Sequence, residues 1–87
     1  LKILVICGNG LGSSLIIEMN VKKALTQTGK EAEVSHTDLA TARTEQADIY
    51  VGMNDIIRQL DDGQRNIIAL ENVMNIEEIK KGLSQYF

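Results

Sequence analysis

Apolar positions along the 87 residues change their period several times, and each change marks an element. Ile3-Leu4-Val5-Ile6 is a continuous apolar run rich in β-branched residues, which predicts a strand buried on both faces with Cys7 at its carboxyl end. Ile17, Val21, Ala24 and Leu25 then recur at i, i+4, i+7 and i+8, the spacing of one helix face on a core. That helix is expected from about Ser13 to Thr28, stopped by Gly29 in the left-handed conformation. Glu31 to Thr37 has period two, with Ala32, Val34 and His36 on one side, and predicts a half-exposed strand suited to a sheet edge. Asp38 to Gln46 predicts a short helix with Asp38 as N-cap and Leu39 and Ala42 inward. Ala47 to Gly52 is a third strand, and Asn54 is placed to cap a short helix through Leu60 that closes near Gly63. Asn66 to Leu70 supplies the fourth strand. Asn75 with Glu78 three residues on has the form of a capping box for a last helix whose inner face is Ile76, Ile79 and Leu83.

Strands alternating with helices define an α/β fold, a parallel sheet with right-handed crossovers and helices on both faces. The length suits a single domain spanning 1–87. Aromatics are limited to Tyr50, Tyr86 and Phe87, so the core must be aliphatic. A net charge of −3 with scattered lysines and arginines gives no basic footprint, so no nucleic acid is expected as partner. One cysteine forms no intrachain disulfide, and no run approaches the ~20 apolar residues of a membrane span. A cytoplasmic location is expected. One cysteine and one histidine offer no metal cluster, and no cofactor is implied.

The chemistry concentrates in Cys7-Gly8-Asn9-Gly10-Leu11-Gly12-Ser13-Ser14, a glycine-rich turn from strand to helix. Glycines let the backbone adopt positive φ and approach a ligand closely, and the N–H groups converge at a helix amino end carrying about half a positive charge. Ser13 and Ser14 can cap that helix or donate hydroxyls to phosphate oxygens. The same field lowers a thiol pKa from about 8.5, so Cys7 is a candidate nucleophile beside a phosphate cradle formed by Gly8, Asn9, Gly10, Leu11, Gly12, Ser13 and Ser14. Ligands of such sheets bind beyond the strand carboxyl ends, which makes Gly52 to Asn54 and Glu71 to Asn72 expected neighbours.

Other candidates are weaker. His36 is the sole histidine, but it lies well into its strand with no nearby carboxylate placed to orient it, and a half-buried strand residue is expected. Arg43 reads as surface on a marginal helix, and Lys22 and Lys23 as a solvated face. Gly8-Asn9-Gly10-Leu11-Gly12 has neither the Walker A nor the dinucleotide spacing, and Asp55 lacks the acidic pair of a receiver phosphoacceptor.

Ile3 to Ser14 resembles the opening of the IIB subunits of the bacterial phosphoenolpyruvate-dependent sugar phosphotransferase system, especially the ascorbate-type branch, where a strand ends in a cysteine followed by Gly-x-Gly-x-Gly-Ser-Ser. The specific motif covers Cys7 to Ser14. The resemblance implies a three-layer sandwich whose four-stranded parallel sheet has the order 2-1-3-4. It implies that Cys7 accepts phosphate from the phosphohistidine of a IIA protein. It also implies delivery to a sugar, ascorbate-like or a sugar alcohol, held by a membrane IIC component, at the inner face of the membrane. Two other functions share such a loop. Low-molecular-weight tyrosine phosphatases use Cys-x5-Arg-Ser with an aspartate beside a proline, whereas here Ser13 holds the arginine's place and the chain has no proline. A regulatory domain that senses an anion is the other alternative.

Overall fold

The computed structural model describes residues 1–7, 11–61, 63, 65–71 and 75–86, with side chains described for these except 7 and 11–14. The elements follow in the order β1 (Lys2–Cys7), α1 (Leu11–Thr28), β2 (Glu33–Asp38), α2 (Leu39–Ala42), β3 (Ile49–Met53), α3 (Asn54–Ile57), β4 (Ile67–Leu70) and α4 (Ile76–Ser84), with a 3₁₀ turn at Arg58–Leu60 extending α3. All four strands are parallel in one sheet of order β2-β1-β3-β4.

The apolar run of β1 lies in the interior of this sheet, beside β3, because it must be covered on both faces. Ile3, Leu4, Val5 and Ile6 are all buried. Ile3 and Val5 join Ile17, Val21, Ala24 and Leu25 of α1 and Ile79 and Leu83 of α4 in one cluster. Leu4 and Ile6 join Ala42 of α2, Tyr50, Ile57 of α3 and Leu60 in another. The chain moves one way across the sheet from β1 to β2 and the other way from β2 to β4. Crossovers of one hand therefore put α1 on one face and α2 and α3 on the opposite face. The expected edge strand is β2, and the core is aliphatic apart from Tyr50.

Several local expectations shift. Helix α1 starts at Leu11, so Ser13 and Ser14 are its third and fourth residues and neither is a cap. β2 lies two residues later than Glu31 at its start, and β3 runs to Met53. Gly29 ends α1 with φ +71°, as its position predicts. Asp38 caps α2, its carboxylate accepting from the Thr41 N–H at 2.6 Å. Asn54 does not cap α3: the cap position is Met53, which has no side-chain acceptor, and Asn54 instead accepts from Arg58 Nε at 2.6 Å. The capping box at α4 is half formed. Asn75 accepts from the Glu78 N–H at 3.2 Å, but Glu78 reaches past the cap to accept from the Glu71 N–H at 3.1 Å.

Candidate functional site

In an open parallel sheet the crevice for ligands opens where successive connections leave in opposite directions, at the carboxyl ends of the two strands flanking that point. Here those strands are β1 and β3. β1 ends at Cys7, and the chain enters α1 at Leu11, so the proposed nucleophile and the amino end of an 18-residue helix stand at one end of the sheet. α1 supplies the long helix dipole nearest Cys7, since α2 and α3 are four residues each and the nine-residue α4 follows β4 at the edge of the sheet. Gly8, Asn9 and Gly10 lie outside the described residues, and of Leu11, Gly12, Ser13 and Ser14 the helical backbone alone is described.

The register brings three further groups to this end. Cys7 pairs with Asp38 of β2, a neighbour that the linear spacing did not reveal. The Asp38 carboxyl is held below its usual range by the backbone N–H of Thr41 first and by its hydroxyl second. Its charge is thereby engaged with α2. On the other side Ile6 pairs with Gly52, and Met53 and Asn54 follow at the same end, as expected. Asn54 draws the Arg58 guanidinium back towards the start of α3, which puts a cation near the carboxyl end of β3. Sequence reasoning missed Arg58; an Asn and an Arg four residues apart on one helix was the available signal. Glu71 follows β4, one strand further away, where Glu78 clips its N–H. Asn72 lies outside the described residues.

Gly52 is required by proximity. A Cβ there would lie 2.9 Å from the Ile6 carbonyl oxygen and 3.4 Å from Ile57 Cβ and Cδ1. The glycine thus lets α3 and β1 close up beside the residue preceding Cys7.

The remaining candidates lie elsewhere. His36 is exposed rather than half-buried, and the expectation that no carboxylate orients it is corrected: Glu18 of α1 lies 2.7 Å from its Nδ1. The partner is 18 residues away in sequence, so only packing of α1 against β2 brings it in. Lys22 shares Glu18 at 3.5 Å. Arg43 lines a surface depression of about 470 Å³ with Tyr50, Arg65 and Asn66 at the amino ends of β3 and β4, opposite the Cys7 end. That depression is braced by protein groups. Arg65 donates to the Leu60 and Arg43 carbonyls and lies 5.6 Å over the Tyr50 ring, while the Tyr50 hydroxyl donates to the Glu45 carbonyl and accepts from the Ala47 N–H. Asp55 begins α3 in its first turn. Among the described residues no group of three His, Cys, Asp or Glu could hold a metal, and no helix is long and apolar enough to cross a membrane.

The parallel 2-1-3-4 sheet is the fold that the resemblance to IIB domains of the phosphotransferase system implied. The chain belongs to the family described as PTS system, Lactose/Cellobiose specific IIB subunit, whose model matches residues 2–85. It is therefore a phosphoryl-transfer component of a sugar phosphotransferase system, working with other components of that system. Among individual proteins, it is 28% identical over 88 residues to the ascorbate-specific EIIB component of Mycoplasma pneumoniae, covering 98% of this chain and 93% of the relative. It is 30% identical over 77 residues to the ascorbate-specific EIIB component of Escherichia coli O157:H7, covering 85% and 76%. The lactose-specific IIB component domain from Streptococcus pneumoniae superposes with a TM-score of 0.71 at 12% identity, covering 100% of this chain and 97% of that one, a likeness of fold.

Proposed function

We propose that the protein is a phosphoryl carrier whose Cys7 accepts phosphate from the phosphohistidine of a IIA protein and passes it to a sugar held by a membrane IIC component during uptake. The observation that carries this is the position of Cys7, last in the central strand, at the switch point of the sheet and four residues before the start of α1. An anionic phosphoryl group beside that helix end meets unpaired N–H groups and the positive end of the dipole. The backbone amides of Gly8, Asn9, Gly10, Leu11, Gly12, Ser13 and Ser14, with the two serine hydroxyls, are the proposed cradle.

In the first transfer the Cys7 thiolate attacks phosphorus in line with the donor imidazole. The S–P bond forms as the N–P bond breaks, and the N–P electron pair returns to the imidazole nitrogen. Across the step the thiol proton ends on that nitrogen. In the second transfer a sugar hydroxyl oxygen attacks phosphorus, the sulfur leaves with the S–P pair, and the hydroxyl proton replaces phosphate on the thiol. Nothing in the Cys7-to-Ser14 stretch matches the arginine clamp of a cysteine phosphatase, and a carrier gains from that, because water must not compete with the acceptor. The ascorbate-specific relatives support an ascorbate-like substrate, with the protein cytoplasmic and meeting the inner membrane face only when delivering.

Intact-protein mass spectrometry after incubation with phosphoenolpyruvate, the general phosphotransferase proteins and a IIA partner tests this. A single phosphoryl adduct that depends on IIA and is absent in Cys7→Ser is expected. Full transfer by the folded serine variant would refute the assignment, and efficient hydrolysis of an aryl phosphate by the unmodified protein would favour a phosphatase-like function instead.

A further inference from the structure

Helix α1 is apolar on two faces. Ile17, Val21, Ala24 and Leu25 are buried on the sheet, yet Leu15, Ile16 and Met19 are 52%, 39% and 64% exposed. Met19 is two residues from Ile17 and two from Val21, about 200° around the helix from each, so it stands opposite the core. α4 shows the ordinary arrangement, with Ile79 and Leu83 inward and Glu77 and Lys81 outward. A surface helix holds apolar side chains on its outer face at a cost in solubility, which points to a partner that covers them.

Two observations say what that partner is. The first is position. Met19 lies about 12 Å along the helix axis from Leu11, at about 1.5 Å per residue. One partner's share of a standard interface, about 800 Å², is a disc of about 16 Å radius. The stripe begins about one turn into α1, Leu15 lying about 6 Å along the axis from Leu11, so a protein seated at the Cys7 end that also follows the outer flank of α1 covers it. The second is charge. Glu18 is the sole carboxylate of α1, and its side chain is 14% exposed and turned to His36 and Lys22. Lys22 and Lys23 are exposed beyond Met19, so the rim of the stripe is basic on a chain of net charge −3.

We propose that Leu15, Ile16 and Met19, rimmed by Lys22 and Lys23, form the docking surface for the protein that delivers phosphate to Cys7, a donor presenting an apolar patch with an acidic rim. This rests on the carrier function proposed above. On receipt both reacting groups belong to proteins, so the docking surface itself must align them, whereas on delivery the acceptor is a small sugar that the IIC component holds.

The test measures initial rates of phosphoryl uptake against the concentration of phosphorylated IIA protein for wild type, Met19→Glu and Leu1→Glu. Leu1 is an equally exposed leucine at the far end of the sheet. Met19→Glu is expected to raise the half-saturating donor concentration about tenfold, as for loss of one interface anchor, with the maximal rate and circular dichroism kept. Leu1→Glu is expected to match wild type. Uptake by wild type with an unchanged half-saturating concentration in Met19→Glu overturns the docking surface and leaves the carrier function standing. In that event, loss of self-association in Met19→Glu by sedimentation assigns the stripe to a second copy, and loss of binding to anionic vesicles assigns it to a membrane. Absence of any uptake by wild type overturns the carrier function, and the docking surface with it.

Discussion

Gly52→Ala tests how tightly the sheet closes next to Cys7. Its new methyl would lie 2.9 Å from the Ile6 carbonyl oxygen, against the 3.4 Å at which ordinary contact begins, so about 0.5 Å must be found. The obstructing atom is backbone, in the strand whose next residue is Cys7, and no rotamer change relieves it. Ile57 Cβ and Cδ1, at 3.4 Å, close the other side. Inserting a methyl into a packed core of this kind costs about 1–3 kcal/mol. For a domain of this size that lowers the melting temperature by about 5–20 °C. Thermal melts and urea titrations followed by circular dichroism measure it, with the urea midpoint falling and the slope unchanged. A Gly52→Ala protein that melts with wild type would refute the reasoning, since the methyl would then have found room without moving β1 or α3.

The other predictions concern caps and the brace at the far end. Asp38→Asn keeps an N-cap side chain but removes its charge. Because the folded carboxyl titrates below its ordinary value of 3.8, the charge stabilises fully above that pH and its contribution fades as pH falls through the lowered pKa. Wild type should therefore exceed Asp38→Asn in stability near neutral pH and converge with it in acid, as read from urea midpoints across pH. Tyr50→Phe removes the hydroxyl that joins Glu45 to Ala47 and should cost about 1–2 kcal/mol, while the phosphoryl transfer proposed for Cys7, at the opposite end of the sheet, should be unchanged. Asn75→Ala deprives the Glu78 N–H of its acceptor and should cost about 1 kcal/mol, with faster hydrogen exchange in the first turn of α4.

Elements set by local pattern came out of the sequence well. The continuous run Ile3 to Ile6 can be covered only in the middle of a sheet, and the helical spacing of Ile17, Val21, Ala24 and Leu25 is satisfied on that sheet. Gly29 stops α1 because its positive φ suits glycine best. The sheet order followed from a family resemblance, since alternation of elements alone does not choose among parallel orders. What the sequence hid is set by tertiary contact. Glu18 and His36 meet only because α1 crosses β2, and Asp38 flanks Cys7 only through strand register. Asn54 and Glu78 kept their polar roles but exchanged partners, Asn54 for Arg58 and Glu78 for the Glu71 N–H. Cap rules name a good side chain; they do not name the competing donor that folding brings within reach.

The strict alternation of β1 has a consequence for how the core tolerates change. Ile3 and Val5 belong wholly to the layer under α1 and α4, and Leu4 and Ile6 wholly to the layer under α2 and α3. The backbone sheet lies between, so Ile79 and Leu60 share no neighbouring side chains across it. Destabilisations from substitutions in opposite layers should add, while those within one layer should couple. The molecule can therefore repack one layer through successive substitutions while the other holds the end of β1, and with it Cys7, in place.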